Sequence, residues 1–409
     1  MHSRQFLKLL SASLLAAPAW AAEKRPPRLL LKSGWQTVNI GDIGHTPGML
    51  RLLAEHLPEV EVTLWPNDIG DGVEEMLSRN FPKVRIVKGE AVKQAFADCD
   101  FLLHGSGPSL VACSSLEKWA KETGKPYGIG GITFGGFSAH EKKEVFDGAR
   151  FIFFRDSLSL AKAKELGATA PLLEFGPDAA FGTNLRDDTK ATAFLAAHGL
   201  VEGQFLCCIP RLRYTPYWLI PGKNRAFDQA KHARNEEMKE HDHAPLREAI
   251  AAVVRQTPMK VLLCPEDATQ MAIGKENLFD KLPEDVRAKV VWRENYWLTD
   301  EALSTYVRSA GLFGFEMHSP IMALGNGVPA IVGRWKEQTT KGFMWRDIGL
   351  EEWLFDMDEP TQVARLTDTV LALARDPAAA KAKAAKAMEF VHERQRVMMQ
   401  IVGRALVAA

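Results

Sequence analysis

The sequence has no net charge: 51 Lys and Arg stand against 51 Asp and Glu. That balance argues against a protein whose main task is to grip a nucleic-acid backbone, but it leaves room for a local basic pocket. Cysteine is sparse, with five in 409 residues: Cys99, Cys113, Cys207, Cys208 and Cys264. No CxxC pair and no Cys/His spacing of a zinc module is present, and an odd number leaves at least one free thiol. Cys207-Cys208 sits inside an apolar run, so packing as small hydrophobes is the better reading. His241-Asp242-His243 lies in a polar stretch and reads as a solvated loop rather than a metal site. No metal and no bound cofactor are expected. There is no dinucleotide GxGxxG and no internal repeat. Beyond the first 22 residues no run of about 18 apolar residues occurs, so no integral membrane segment is expected in the mature chain.

Those first residues, 1–22, read as an address. Arg4 and Lys8 precede an apolar stretch too short to span a bilayer, and Ala19-Trp20-Ala21 forms a small-x-small cleavage site. Export to the periplasm or the exterior is the expectation. The remaining composition, 46% hydrophobic and 25% charged, is that of a globular protein of two or three domains.

Along the chain short apolar runs alternate with amphipathic ones. The pattern predicts strands at 28–32, 60–65, 84–87, 101–104, 126–130, 151–155 and 172–175, with helices between. The first of those helices is placed at 47–56 after a loop over 34–44. A seam near 182–190 precedes a second set: strands at 205–209, 261–264, 290–292, 311–315 and 330–332, with a helix at 245–256. A long Ala/Lys-rich helix closes the chain. Alternation of this kind implies parallel sheets with helices on both faces. The expected layout is an α/β protein of two Rossmann-like domains facing a cleft, over residues 28–190 and 196–375, followed by a C-terminal helix over 376–409.

Ligands of such sheets bind beyond the carboxyl ends of the strands, so the loops after strands carry the information. Asn39-Ile40-Gly41-Asp42 precedes a helix, and its glycine lets backbone approach a ligand. Gly105 and Gly107 form a second such turn. Arg155, before a capping pair Asp156-Ser157, reads as a residue of the domain seam. Asp178 reads equally as a turn former or a cleft carboxylate. Arg211 and Arg213 leave a strand end and can either clamp an anion or form surface salt bridges. Glu316 and His318 follow another strand and open a helix, the place of general acid/base residues. Lys336 and Lys341, on the loop after the next strand, can complete an anion pocket. Among ten tryptophans, Trp218, Trp297, Trp335 and Trp345 are candidates for sugar stacking, with core packing as the ordinary alternative.

In this order the motifs resemble the polysaccharide pyruvyl transferase family. Asn39–Asp42 matches the core of its N-terminal loop, and Gly105–Gly107 its glycine turn. Arg155, Asp156 and the nearby serines match a third segment, and Pro177-Asp178-Ala179-Ala180-Phe181 a fourth. His318 with Ala323, Leu324, Gly327, Val328 and Pro329 matches its most specific mark. The resemblance implies a glycosyltransferase-B-like fold and transfer of a pyruvyl group from phosphoenolpyruvate to hydroxyls of a polysaccharide or oligosaccharide, forming a cyclic ketal. It implies His318 as acid/base, with Arg211, Arg213 and Lys336 or Lys341 holding the anion and Asp178 orienting the acceptor. One position departs from the family: its arginine two places before the histidine is Glu316 here. A carboxylate about 4 Å from a multiply charged anion is repelled by several kcal/mol at intermediate dielectric. Glu316 therefore points away, pairs with an arginine, or marks a different substrate. The other readings are an exported glycan-active enzyme using Glu316 and His318, and a non-catalytic glycan-binding protein on the same scaffold.

Overall fold

A computed structural model describes residues 25–409. The export segment at 1–22 lies outside the described residues. Seven strands form the first sheet: β1 (Arg28–Ser33), β2 (Glu61–Pro66), β3 (Arg85–Ile86), β4 (Phe101–His104), β5 (Tyr127–Ile132), β6 (Ile152–Phe154) and β7 (Leu173–Phe175). Their order is β3-β2-β1-β4-β5-β6-β7 and every pairing is parallel. The central strands β4 and β5 are buried along their whole length, because helices cover both faces of the sheet.

Six strands form the second sheet: β8 (Phe205–Ile209), β9 (Lys260–Leu263), β10 (Val290–Trp292), β11 (Gly311–Gly314), β12 (Ala330–Arg334) and β13 (Leu354–Asp356). Their order is β10-β9-β8-β11-β12-β13, again all parallel. In each sheet the order reverses beside the first strand, between β1 and β4 and between β8 and β11. A crevice opens at such switch points, and the two crevices face one another.

The domains are joined by more than a linker. The core of the second domain includes Ile40, Ala180 and Phe181 from the first. The last helix, Pro377–Val407, straps the two together. Ala384, Met388 and Val391 pack into the second domain, while Met398, Met399, Val402 and Leu406 pack into the first.

Four expectations need correction. The helix α1 spans Ile40–His56, so it begins at Ile40 rather than Pro47. Asn39 caps it, its side-chain oxygen accepting from the Gly41 and Asp42 N–H groups at 2.8 and 3.1 Å. Three glycines and a proline in the first turns disguise this start; close packing, described below, requires the glycines. The helix expected at 245–256 runs over Gln229–Gln256 with Pro245 inside it. His241-Asp242-His243 is therefore helical, with Asp242 and His243 buried. Trp297, Trp335 and Trp345 are buried in the second core and offer no stacking face, whereas Trp218 is half-buried at the surface against Phe227. All five cysteines are free and buried, as small core residues.

Candidate functional site

The cleft is built where α1 drives its first turn into the second domain. The Ile40 N–H donates to the Glu266 carbonyl at 2.9 Å, and Thr299 Oγ1 donates to the Ile40 carbonyl at 2.9 Å. Gly41 lies flat against His318: a Cβ added there would sit 2.1 Å from the His318 Cβ. At Gly44 it would meet Met322 Sδ at 2.6 Å, and at Gly48 the Ala179 carbonyl oxygen at 2.0 Å. Gly41 and Gly44 let the domains touch, while Gly48 admits the Ala179 backbone of its own domain. Gly105 and Gly107 allow close packing within the first domain, against Ser33 and Trp35 at 3.0 Å each.

From the first domain five buried groups interlock. Asp178 Oδ2 accepts from Arg155 Nη1 at 2.6 Å, and Asp178 Oδ1 faces His45 Nδ1 at 2.9 Å. Ser106 Oγ lies 2.7 Å from the same His45 nitrogen and donates to Asp178 Oδ1 at 3.1 Å. Arg155 Nε donates to Thr133 Oγ1 at 2.7 Å. Burial opposes ionisation of Asp178, yet His45 and Arg155 beside it hold its carboxyl well below the usual range.

The second domain contributes a carboxylate-rich wall. His318 Nδ1 lies 3.3 Å from Glu266 Oε1, and Glu266 Oε2 accepts from the Ser319 N–H at 2.6 Å. Glu316 accepts from Arg211 Nη1 and from Gln270 Nε2, both at 2.6 Å. Thus Glu316 pairs with an arginine, which resolves its position in the cleft. Burial pushes Glu316 up to about 7, and burial with Glu316 nearby pushes Asp267 up to about 6. Burial, with Lys341 and His45 adding to it, holds the His318 imidazole well below its ordinary value, so it is neutral in the empty cleft. Burial also lowers the Lys341 ammonium, which lies among Glu316, Arg211, Arg155 and Glu266. The His45 and His318 rings meet edge to face, centroids 4.8 Å apart. Four buried atoms here have no hydrogen-bond partner among the described residues: His45 Nε2, His318 Nε2, Arg155 Nη2 and Arg211 Nε. Asp42, His45 and His318 place one donor atom each within 4.8 Å of one another, a group able to hold a cation.

The family model of polysaccharide pyruvyl transferase matches residues 39–336. The chain belongs to the polysaccharide pyruvyl transferase family. No curated protein was found to match it. Among solved structures it is similar to a putative UDP-N-acetylglucosamine 2-epimerase from Listeria monocytogenes, with 14% identity and TM-score 0.56, over 87% of this chain and 90% of the other. The UDP-GlcNAc 2-epimerase of Methanocaldococcus jannaschii gives 13% identity and TM-score 0.53, over 84% and 92%. Anabaena HepE, solved with UDP and glucose, gives 10% and 0.52, over 94% and 100%. At these identities the likeness establishes the fold, two parallel α/β domains of the glycosyltransferase-B type.

In this pyruvyl transferase family member the match begins at the helix cap Asn39. Asn39, Gly41, Asp42, Arg155, Asp178, Arg211, Glu316, His318 and Lys341 converge on the cleft. Two residues do not. Arg213 is buried and committed to Asp242 at 2.9 Å, Glu337 at 3.0 Å and Asp358 at 2.7 Å. Its fork is filled by the protein and has no donor left for a substrate anion. Lys336 is exposed, and its backbone N–H, rather than its ammonium, donates to Asp358 at 3.0 Å among the described residues. Sequence reasoning missed His45 and Gln270, and it reached Glu266 only as part of the Cys264–Asp267 loop after a strand, with no role assigned. His45 follows Asp42 by three residues and so shares its helix face, a spacing visible once the helix starts at Ile40. Glu266 follows the end of β9, as site residues of such sheets do, whereas nothing local marks Gln270.

Proposed function

We propose that the protein transfers a pyruvyl group from phosphoenolpyruvate to two hydroxyls of a saccharide, forming a cyclic ketal and releasing phosphate. The observation that carries this reading is the family match over residues whose side chains meet in one interdomain cleft. In the reaction the first hydroxyl oxygen bonds to C2 of the donor and its proton ends on C3, completing a methyl group. The second hydroxyl then bonds to C2 as the C–O bond to phosphate breaks, and its proton leaves with the phosphate.

A neutral imidazole with an unengaged Nε2 suits the first transfer, since it can take the hydroxyl proton and return it to C3. His318 fills that role, and the negative charge of a bound donor favours its imidazolium form. Arg155 and Arg211, each with an unpartnered buried N–H, and Lys341 supply positive charge for the donor's carboxylate and phosphate. Glu316 draws off part of Arg211's charge, so the anion site is weaker than one with arginine in its place. With the export reading of residues 1–22, the acceptor is a cell-surface or extracellular glycan. The cluster of Glu266, Asp267 and Glu316 favours a second reading, acid/base work on a glycan without a phosphorylated donor.

Calorimetric titration with phosphoenolpyruvate separates the two. Under the first reading binding is saturable, weakens in Arg211→Ala, and survives in Arg213→Met, whose arginine faces away from the cleft chemistry. Absence of binding at millimolar donor overturns it in favour of the second.

A further inference from the structure

Two buried imidazole nitrogens with nothing to bond are unusual. Leaving one such group unsatisfied costs about 1–3 kcal/mol, and here two lie side by side. His45 is wholly buried and His318 is 3% exposed, and neither Nε2 has a partner among the described residues. The opposite nitrogen of each ring is held by a buried carboxylate, His45 Nδ1 by Asp178 at 2.9 Å and His318 Nδ1 by Glu266 at 3.3 Å. Where the carboxylate is ionised it only accepts, so Nδ1 carries the hydrogen and the lone pair of the neutral ring sits on Nε2, facing its neighbour across the cleft. Carboxylates behind histidines in this manner orient the rings and raise their basicity as metal ligands.

The third donor is Asp42, one turn before His45 on α1, which completes the trio within 4.8 Å. Two imidazoles and a carboxylate are Lewis bases and call for a cation rather than an anion. Asp42 and the carboxylates behind the two imidazoles, Asp178 and Glu266, carry three negative charges, against Arg155 on Asp178 and the Lys341 ammonium beside His318, so the surroundings are net negative and favour a cation. We infer that Asp42, His45 and His318 form a site for one divalent transition-metal ion, zinc by its ligand chemistry, with a coordination position left open. Zinc held about 2.1 Å from each ligand needs donors about 3.4 Å apart, so the side chains draw inward around the ion. Because α1 belongs to one domain and His318 to the other, the ion staples the cleft. It also takes the lone pair that proton transfer by His318 uses, so metal occupancy and turnover exclude one another. The metal site does not depend on the identity of the donor substrate.

The test is calorimetric titration of chelator-treated protein with zinc alone. One equivalent binds, binding is lost in His45→Asn and His318→Asn, and it falls about 10- to 100-fold in Asp178→Asn, which removes a carboxylate behind a ligand. His140→Ala, at an exposed histidine, leaves it unchanged. Zinc raises the melting temperature of the wild type, since a ligand of the folded state stabilises it. X-ray absorption of the wild-type zinc form, which needs no variant to fold, finds two imidazole nitrogens. No saturable uptake up to ~0.1 mM zinc, uptake that persists in the His45→Asn/His318→Asn double variant, or an all-oxygen shell overturns the site. Phosphoenolpyruvate is absent throughout, so a protein that takes zinc and ignores the donor loses only the proposed function.

Discussion

Replacing Gly41 by alanine sets two physical effects of opposite sign against each other. Gly41 lies in the first turn of α1 with ordinary helical backbone, where alanine is favoured over glycine by about 1 kcal/mol. Judged from the helix alone, Gly41→Ala stabilises. In the folded protein the new Cβ would lie 2.1 Å from Cβ, 2.5 Å from Cγ and 2.6 Å from Nδ1 of His318. Ordinary contact begins at 3.4 Å, so α1 and the imidazole must part by about 1.3 Å, the difference between 3.4 and 2.1. Neither partner has slack: the His318 helix is buried, and α1 is tied to the second domain through Ile40. Overpacking of that kind costs about 1–3 kcal/mol, which leaves a net loss of about 0–2 kcal/mol after the helical gain. The displacement also pulls His318 Nδ1 off Glu266, since 3.3 Å is already near the limit of a hydrogen bond. A misplacement of about 1 Å at a reacting group can cost about 100-fold in rate. The assay is the urea midpoint of Gly41→Ala beside that of Gly135→Ala, where an added Cβ meets nothing within 4 Å. A fall confined to Gly41→Ala is expected. A rise there refutes the claim that this glycine exists to admit His318.

Two further predictions rest on buried charge. Asp267 is pushed up to about 6 in the folded protein, against about 4 in an unfolded chain, so between those values the folded state binds more protons. Its contribution therefore declines as pH rises through that window. Asp267→Asn should gain stability over the wild type more at pH 8 than at pH 5, read from urea midpoints; an advantage that does not grow with pH contradicts the assignment. Removing Arg213 leaves Asp242, Glu337 and Asp358 facing one another without their shared cation. Arg213→Met should lower stability by about 3–5 kcal/mol while leaving donor affinity unchanged; lost affinity in a folded variant would return Arg213 to the substrate site.

The order of strands and helices was legible because parallel α/β chains announce it: apolar runs of strand length alternate with amphipathic helices, and the loops after strands carry the polar residues. Asn39, Asp42, Arg155, Asp178 and His318 could be picked out this way before their contacts were known. What each residue does there was not legible, because it depends on partners remote in sequence. Arg211 and Arg213 leave the same strand end two residues apart, yet Arg213 is consumed by three carboxylates from distant segments while Arg211 keeps one N–H unpartnered in the cleft. His45 looks like one more helical residue until Asp178 and His318 flank it from two different domains. The start of α1 was hidden for the same reason. Glycine and proline weaken a helix locally, and only the close approach of His318, Met322 and Ala179 shows why side chains had to be absent there. Sequence alone determined the alternating layers and the strand ends where chemistry collects, since these follow from local period and polarity. The pairing of charges, the strap of the last helix across both domains and the meeting of the two imidazoles were decided by tertiary structure, because desolvated contacts exist only once both sheets are in place.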